Sequence, residues 1–365
     1  MSENPGTGRS RRGTDSKIEG RFEKTKRESW TEDETDGILP HKVTTQFFFE
    51  SAKTILTSNQ SPDLPFSTSI NPYRGCEHGC IYCYARPNHA YVDLSPGLDF
   101  ESKIFVKKNI KNLLVEDLKK LKAPIRAISL GAATDPYQPG ERIHQNTRQV
   151  LETLLKFKHP VGIVTKSSLI QRDIDILAEM AKLDLVKVFV SITTLNNELW
   201  SKLEPRTPAP AKRIETLEKL SQSKIPVGVM FAPAIPFLND FEMESILSKA
   251  KESGAASAGM VLLRLPHEVA PLFVDWLDTH YPLKKDKILK VISEARGGKL
   301  YDSAFGKRMI GSGNYSDLLQ NRFRAAIQRL GLNNRHPLRT DLFKVPEEYQ
   351  IRKYSKEEIL PGLFD

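Results

Sequence analysis

The sequence predicts an α/β fold: a partial (β/α)6 barrel of the TIM type, with a disordered N-terminal tail and a basic α-helical C-terminal extension. Three observations lead there. Short β-branched runs alternate with amphipathic helical runs six times in succession, the pattern of parallel strands joined by crossover helices. Glycines, prolines, polar residues and all three cysteines gather directly after those runs, as expected where loops converge on one barrel mouth. The chain has 365 residues and is 39% hydrophobic, enough for a substantial core.

The expected strands are Ser67–Asn71, Arg126–Leu130, Val161–Thr165, Lys187–Ser191, Val227–Phe231 and Ala258–Leu263. Each precedes a helical stretch. Val150, Leu151, Leu154 and Leu155 share one helix face, Ile214, Leu217 and Leu220 a second, and Ile174, Leu177 and Ala178 a third. The segments after the six strands are PYRGCEHGCIYCYAR, GAATDPYQPGE, KSS, TTLNNELWSKLEPRT, APAIP and RLPHE.

Residues 1–42 are read as a disordered tail, because their first 40 positions hold 8 Lys/Arg, 9 Asp/Glu and almost no aliphatic side chains. Residues 62–283 form the expected barrel and 284–365 the basic extension. Residues 284–344 carry 14 Lys/Arg against 5 Asp/Glu, a local excess equal to the formal +9 of the whole chain. Within it, Phe323, Ala326, Ile327 and Leu330 form an apolar helix face, with Arg322, Arg324 and Arg329 free to project outward. A localised basic excess suits a polyanionic partner such as nucleic acid, or a solvated helix face. No apolar run is long enough to span a membrane and no secretory leader is apparent, so a soluble cytoplasmic protein is expected.

Cys76, Cys80 and Cys83 are the only cysteines, an odd and clustered set that does not suit a disulfide framework. The C-x3-C-x2-C spacing places three thiolates on one tight loop, as a single inorganic cluster requires. A cubane cluster has four irons, so three cysteines leave one iron open to a ligand. Two other readings stay open at this point: three core cysteines, or a zinc site of three cysteines completed by His78 or His89.

The cysteine motif after the first strand of a six-unit barrel resembles that of the radical S-adenosylmethionine superfamily, over about residues 65–280. The segments GAATDPYQPGE, VTKSSLIQRD, VSITTLNNELWSKLEPRTPAPAKR and MFAPAIPFLND resemble the strand-end motifs of spore photoproduct lyase and its relatives. The resemblance implies a four-iron four-sulfur cluster on Cys76, Cys80 and Cys83, with S-adenosylmethionine on the open iron. Electron transfer would then cleave the sulfonium to a 5'-deoxyadenosyl radical that abstracts hydrogen from a substrate the sequence does not identify, a nucleic-acid component or else a peptide or small molecule, in lyase-like or oxidoreductase-type chemistry; the zinc reading would instead make the protein a non-catalytic nucleic-acid-binding module. The resemblance further implies that Thr134, Lys166, Ser191 and the Ala232 backbone line the S-adenosylmethionine pocket, that Tyr82 and Tyr84 lie beside the radical path, and that a flavodoxin or ferredoxin supplies the electron. The residue types suit those roles: an ammonium for a carboxylate, hydroxyls for ribose and amino groups, and Gly131 for close backbone approach. Asp135 and Glu141 are candidate general acids, substrate contacts or turn residues. One departure stands out. Spore photoproduct lyase carries a hydrogen-donating cysteine just before the aspartate of its second rim loop, where this chain has Ala132 and Ala133.

Overall fold

The computed structural model describes residues 12–22, 43–334 and 336–350. Its strands are β1 (Gln46–Glu50), β2 (Leu56–Ser58), β3 (Thr68–Ile70), β4 (Tyr73–Arg74), β5 (Lys103–Lys107), β6 (Ile128–Leu130), β7 (Val161–Thr165), β8 (Val186–Ser191), β9 (Val227–Ala234) and β10 (Ser257–Leu262). Six of them, β3, β6, β7, β8, β9 and β10, lie side by side in chain order and pair in parallel. The order never reverses, so successive crossovers turn the same way and the sheet curls toward a barrel. All six coincide with the expected strands to within a few residues at either end. β2 adds an antiparallel edge beside β3.

The side-chain pattern explains why the barrel is only partial. In β7, Val161, Ile163 and Thr165 are buried, while Gly162 and Val164 keep some exposure. In β8, Val186, Val188 and Val190 are buried between the partly exposed Lys187 and Phe189. Alternating side chains point to opposite sheet faces, so one face lies under the helices and the other borders an incompletely filled interior. The helix-facing set joins Val150, Leu151 and Leu154 of the helix Asn146–Lys156, and Leu217 and Leu220 of the helix Pro210–Gln222, in one core. In the helix Ile174–Lys182 the fully buried positions are Ile176, Leu177 and Met180; Ile174 and Ala178 lie at its margin.

The first crossover departs from a simple helical return. Between β3 and β6 the chain makes the cysteine loop, a 3-10 turn at Arg86–Val92, β5 and the helix Ile110–Lys119. β5 pairs with β1 in parallel and with β4 antiparallel, a small second sheet that flanks the cysteine loop. The run QFFFE that forms β1 was not among the expected strands.

Both ends of the chain differ from expectation. Residues 12–22 fall in the segment read as a disordered tail, yet they lie as a strap across the cysteine loop. Arg12 is buried and donates to the Glu101 carbonyl at 2.6 Å and the Val43 carbonyl at 2.9 Å. The Gly13 amide donates to the Glu101 carboxylate at 2.8 Å, Leu98 N–H to the Ser16 carbonyl at 2.9 Å, and Arg21 pairs with Glu268 at 2.8 Å. Backbone hydrogen bonds, the side chains of Arg12 and Arg21 and single apolar contacts from Ile18 and Phe22 hold this strap, with no periodic apolar face that composition could reveal. The remaining positions of 1–42 lie outside the described residues.

The C-terminal segment packs instead of projecting. The helix Asn314–Leu330 lies on the helix Met243–Glu252 and β10. The chain then crosses the N-terminal ends of the strands, with hydrogen bonds from Asn334 N–H to Ala256, Arg339 N–H to Asp184 and Lys344 N–H to the Phe157 carbonyl. Phe157 stacks on Tyr349 at 5.5 Å between ring centres. Much of the basic charge is internally matched: Arg322 with Glu244, Arg308 with Asp63, and Arg339 with Asp341. Arg296 is buried and donates to the Leu263 and Lys307 carbonyls. Among the described residues, no helix is long and apolar enough to cross a membrane.

Candidate active site

Cys76, Cys80 and Cys83 sit on one irregular loop at the C-terminal mouth of the barrel, the first two buried and the third partly so. Gly79 makes the turn between them: its φ of +66° is left-handed, and a Cβ there would meet the Glu101 carboxylate at 2.5 Å. The loop has little regular structure, so its carbonyls need outside donors. Arg86, fully buried, supplies them: its guanidinium donates to the carbonyls of Cys80 at 3.0 Å, Gly97 at 2.9 Å and Pro96 at 3.1 Å, and pairs with Glu101.

The thiols are set for metal. Burial pushes Cys76 well above the ordinary thiol range, with Asp135 and charge on Cys83 and Cys80 adding to the rise. Burial likewise pushes Cys80 up to about 12, although Lys166 opposes it. Three neighbouring sulfurs, two of them buried, are costly as bare thiolates, and iron would compensate that cost directly. The donor set therefore fits an iron-sulfur cluster. Among the described residues no three His, Cys, Asp or Glu side chains are grouped around one point that a single metal ion would occupy. Cysteines that each bind a different iron of one cluster need not converge on one point. Both candidate histidines are engaged elsewhere: His78 with Asp135 at 3.3 Å, and His89 with the Lys103 carbonyl at 3.0 Å. Burial lowers the His89 pKa to about 4, so it is neutral.

Behind the cysteines lies a buried polar network. Tyr82 donates to Glu204 and lies 3.2 Å from the Thr193 hydroxyl, which donates to Glu204 at 2.7 Å. Arg213, 1% exposed, pairs with Glu204 and donates to the Ser191 carbonyl at 3.0 Å. Lys166 Nζ stands 4.0 Å from Glu204 and 5.8 Å over the Tyr82 ring. Burial alone would raise Glu204, but Arg213 and Lys166, with hydrogen bonds from Tyr82 and Thr193, hold it at about 2. Burial opposes the charge on Lys166, yet Cys80 and Glu204 outweigh it and raise its pKa. Lys166 is thus a charged ammonium beside the cysteine loop. Asn239 ties the next two strand ends together, donating to the Thr193 carbonyl at 2.7 Å and the Pro233 carbonyl at 2.9 Å.

The other expected site residues fall on the same rim with varied freedom. Ser191 ends β8 and is buried, and the Ala232 carbonyl accepts from Thr193 at 3.4 Å. The Thr134 hydroxyl donates to the Tyr73 carbonyl at 3.3 Å. Tyr84 is 48% exposed, donates to the Ala132 carbonyl, and carries Arg264 over its ring at 5.1 Å. Gly131 has φ +92°, and a Cβ there would strike the Val164 carbonyl at 2.7 Å, so its close approach is to the chain itself.

Asp135 is saturated. Its oxygens accept from the Thr165 hydroxyl at 2.6 Å and the amides of Tyr137 and Lys166 at 2.9 and 2.8 Å, with His78 alongside. Burial would raise it, but His78 and these donors bring it to about 2. The geometry makes it a clamp between the loops after β3, β6 and β7, closer to the structural turn role than to the catalytic one among the roles its position allows. Glu141 is similarly occupied by Tyr73, the Thr147 amide at 3.0 Å and Arg172 at 2.7 Å. Sequence reasoning singled out neither Glu204, Arg213, Thr193 and Asn239 nor the Arg86–Glu101 pair.

These depressed carboxylates have a pH consequence. A group at about 2 in the fold and near 4 unfolded contributes stability above pH ~4, which is lost as pH falls toward ~2. Glu204→Gln leaves Arg213 buried without its partner, a loss of about 3–5 kcal/mol at neutral pH. Urea midpoints of metal-free protein should therefore show a gap between variant and wild type that narrows as pH drops from 6 toward ~3.5; a gap independent of pH would contradict this role.

Comparison with known proteins agrees with the geometry. Residues 70–250 match the radical SAM superfamily. An uncharacterised protein of Mycobacterium tuberculosis is 33% identical over 252 residues, covering 68% of this chain and 72% of the relative. A radical SAM Nalpha-GlyT isomerase of Pseudomonas phage M6 is 25% identical over 177 residues, covering 47% of this chain and 34% of the relative. Among solved structures, spore photoproduct lyase complexed with dinucleoside spore photoproduct superposes with a TM-score of 0.58 at 15% identity, covering 78% of this chain and 79% of that one. The chain belongs to the radical SAM superfamily, and its fold is that of spore photoproduct lyase.

Proposed function

We propose that this protein uses S-adenosylmethionine to generate a 5'-deoxyadenosyl radical that abstracts hydrogen from a substrate at the barrel mouth, with a nucleic-acid component as the substrate class. One observation carries the reading: two buried thiols and a partly buried third share one loop at the barrel mouth, with the partly buried ammonium of Lys166 beside them. A four-iron four-sulfur cluster held by Cys76, Cys80 and Cys83, with one iron free for the amino and carboxylate groups of S-adenosylmethionine, would supply the electron that cleaves the sulfonium.

The chain's own residues bind and orient. Lys166 offers a fixed positive charge for the methionyl carboxylate, its position limited by Glu204 and the Tyr82 face. Tyr82 is locked at its hydroxyl and kept neutral, since burial and Glu204 push its pKa far up; it serves as a rigid wall. Ser191 and the Ala232 backbone present polar atoms at the ends of β8 and β9. Tyr84, half exposed near Ala132, is placed to meet substrate. Asp135 positions Lys166 through its backbone amide.

The nucleic-acid reading draws support from the fold shared with spore photoproduct lyase, solved with a dinucleoside. The chemistry on that substrate differs, because Ala132 and Ala133 stand where that enzyme carries its hydrogen-donating cysteine. A flavodoxin or ferredoxin is the proposed reductant.

Reduced, reconstituted protein incubated with S-adenosylmethionine should release 5'-deoxyadenosine. Cys80→Ala should abolish it, and Lys166→Ala should raise the S-adenosylmethionine concentration for half-maximal rate about tenfold or more, the cost of one charge-assisted contact. Equal product from Cys80→Ala would defeat the proposal. Repair of spore photoproduct, if assayed, should be absent or depend on added thiol; thiol-independent turnover would contradict the assignment of Ala132 and Ala133.

A further inference from the structure

A second group of cations lies on the outer flank of the cysteine loop, and the chemistry above uses none of them. A cavity of about 330 Å3 opens there, lined by His78, Arg142, Ser167, Ser168, Arg206 and Lys212, among others. These residues come from the loops that follow β3, β6, β7 and β8, so four consecutive strand ends build it.

Its charge is not fully matched. Arg142 makes no side-chain hydrogen bond or ion pair among the described residues. Arg206 reaches Glu77 with one guanidinium nitrogen at 3.2 Å, while its buried Nε has no partner among the described residues. Lys212 pairs with Glu215 at 2.8 Å on the surface. Glu77 is already committed: it also accepts from the Gly140 amide at 2.7 Å and the Thr45 hydroxyl at 2.8 Å. His78 gives Nδ1 to Asp135, which leaves Nε2 for a ligand. Two guanidiniums, an ammonium and serine hydroxyls thus surround one concave space.

That set suits a tetrahedral oxyanion better than a carboxylate, because phosphate presents enough acceptor oxygens to take two forks, an ammonium and a hydroxyl together. The location is also informative. Lys166, Ser167 and Ser168 are consecutive, so the turn that carries the ammonium toward the cysteines also forms this cavity wall. We propose that the cavity is a phosphate-binding site that, on the nucleic-acid reading above, seats the phosphate of a nucleotide or polynucleotide one loop away from the reaction centre.

The test uses full-length protein and a fluorescein-labelled single-stranded oligonucleotide, read by anisotropy with inorganic phosphate and AMP as competitors. Inorganic phosphate should displace the probe. Arg142→Gln and Arg206→Gln should each weaken binding about tenfold and lower the slope of log affinity against log salt by about 0.7, the share of one phosphate contact on a single strand. S-adenosylmethionine binding should be unchanged, and Arg322→Gln, on the C-terminal helix, should bind as wild type. A free nucleotide and a polymer are told apart by whether AMP or the oligonucleotide binds tighter per phosphate. Unchanged affinity in Arg142→Gln, or failure of phosphate to compete, would overturn the site. Because Arg142 is exposed and its side chain makes no hydrogen bond or ion pair among the described residues, its loss does not threaten folding. Binding is read without reduction or turnover, so its outcome is separate from that of the radical chemistry.

Discussion

Everything at the mouth of this barrel depends on one buried guanidinium. The cysteine loop lacks regular hydrogen bonding, and Arg86 replaces it by gathering the carbonyls of Cys80, Gly97 and Pro96 around one planar fork and pairing with Glu101. Arg is suited to this because its donors diverge in fixed directions and it stays charged when desolvated. Glu101 in turn receives the amide of Gly13, so the same ion pair ties down the N-terminal strap. A buried pair of this kind is a poor source of net stability but a strong source of a single geometry, which is what three ligands to one cluster require.

A second buried charge, Glu204, does for the inner wall what Glu101 does for the loop. It couples Tyr82 from the cysteine loop, Thr193 from the end of β8, Lys166 from the end of β7 and Arg213 from the following helix. The two hubs meet at the cysteines. Two straps brace the barrel at its ends: residues 12–22 run from the cysteine loop to Glu268, and residues 332–334 and 336–349 lie along the opposite rim. Part of the basic C-terminal segment is therefore a structural brace, with Arg322, Arg308 and Arg296 matched to Glu244, Asp63 and backbone carbonyls.

The six barrel strands were legible because period-two burial leaves a direct trace in β-branched residues, as in VGIVT and VKVFVS. The cysteines were legible by spacing alone. The hubs were not, because a single Glu or Arg carries no periodicity: Glu204 and Arg213 look like surface residues in LEPRTPAPAKR until folding brings them together. The strap at 12–22 is illegible for a related reason, since isolated contacts from Arg12, Ile18, Arg21 and Phe22 and hydrogen bonds to backbone form no periodic pattern. β1 did leave one, three consecutive phenylalanines in QFFFE, and went unread because they fall outside the six-unit pattern. Asp135 was found by position, but its role changed once its oxygens proved fully engaged.

The most direct test of the central claim is electron paramagnetic resonance of the dithionite-reduced, anaerobically prepared protein, recorded with and without S-adenosylmethionine. Three thiolates and a vacant iron predict a reduced-cluster signal whose g-values and line shape shift when the sulfonium ligand binds. A signal identical in both samples, or no cluster signal at all in iron-loaded protein, would contradict the account.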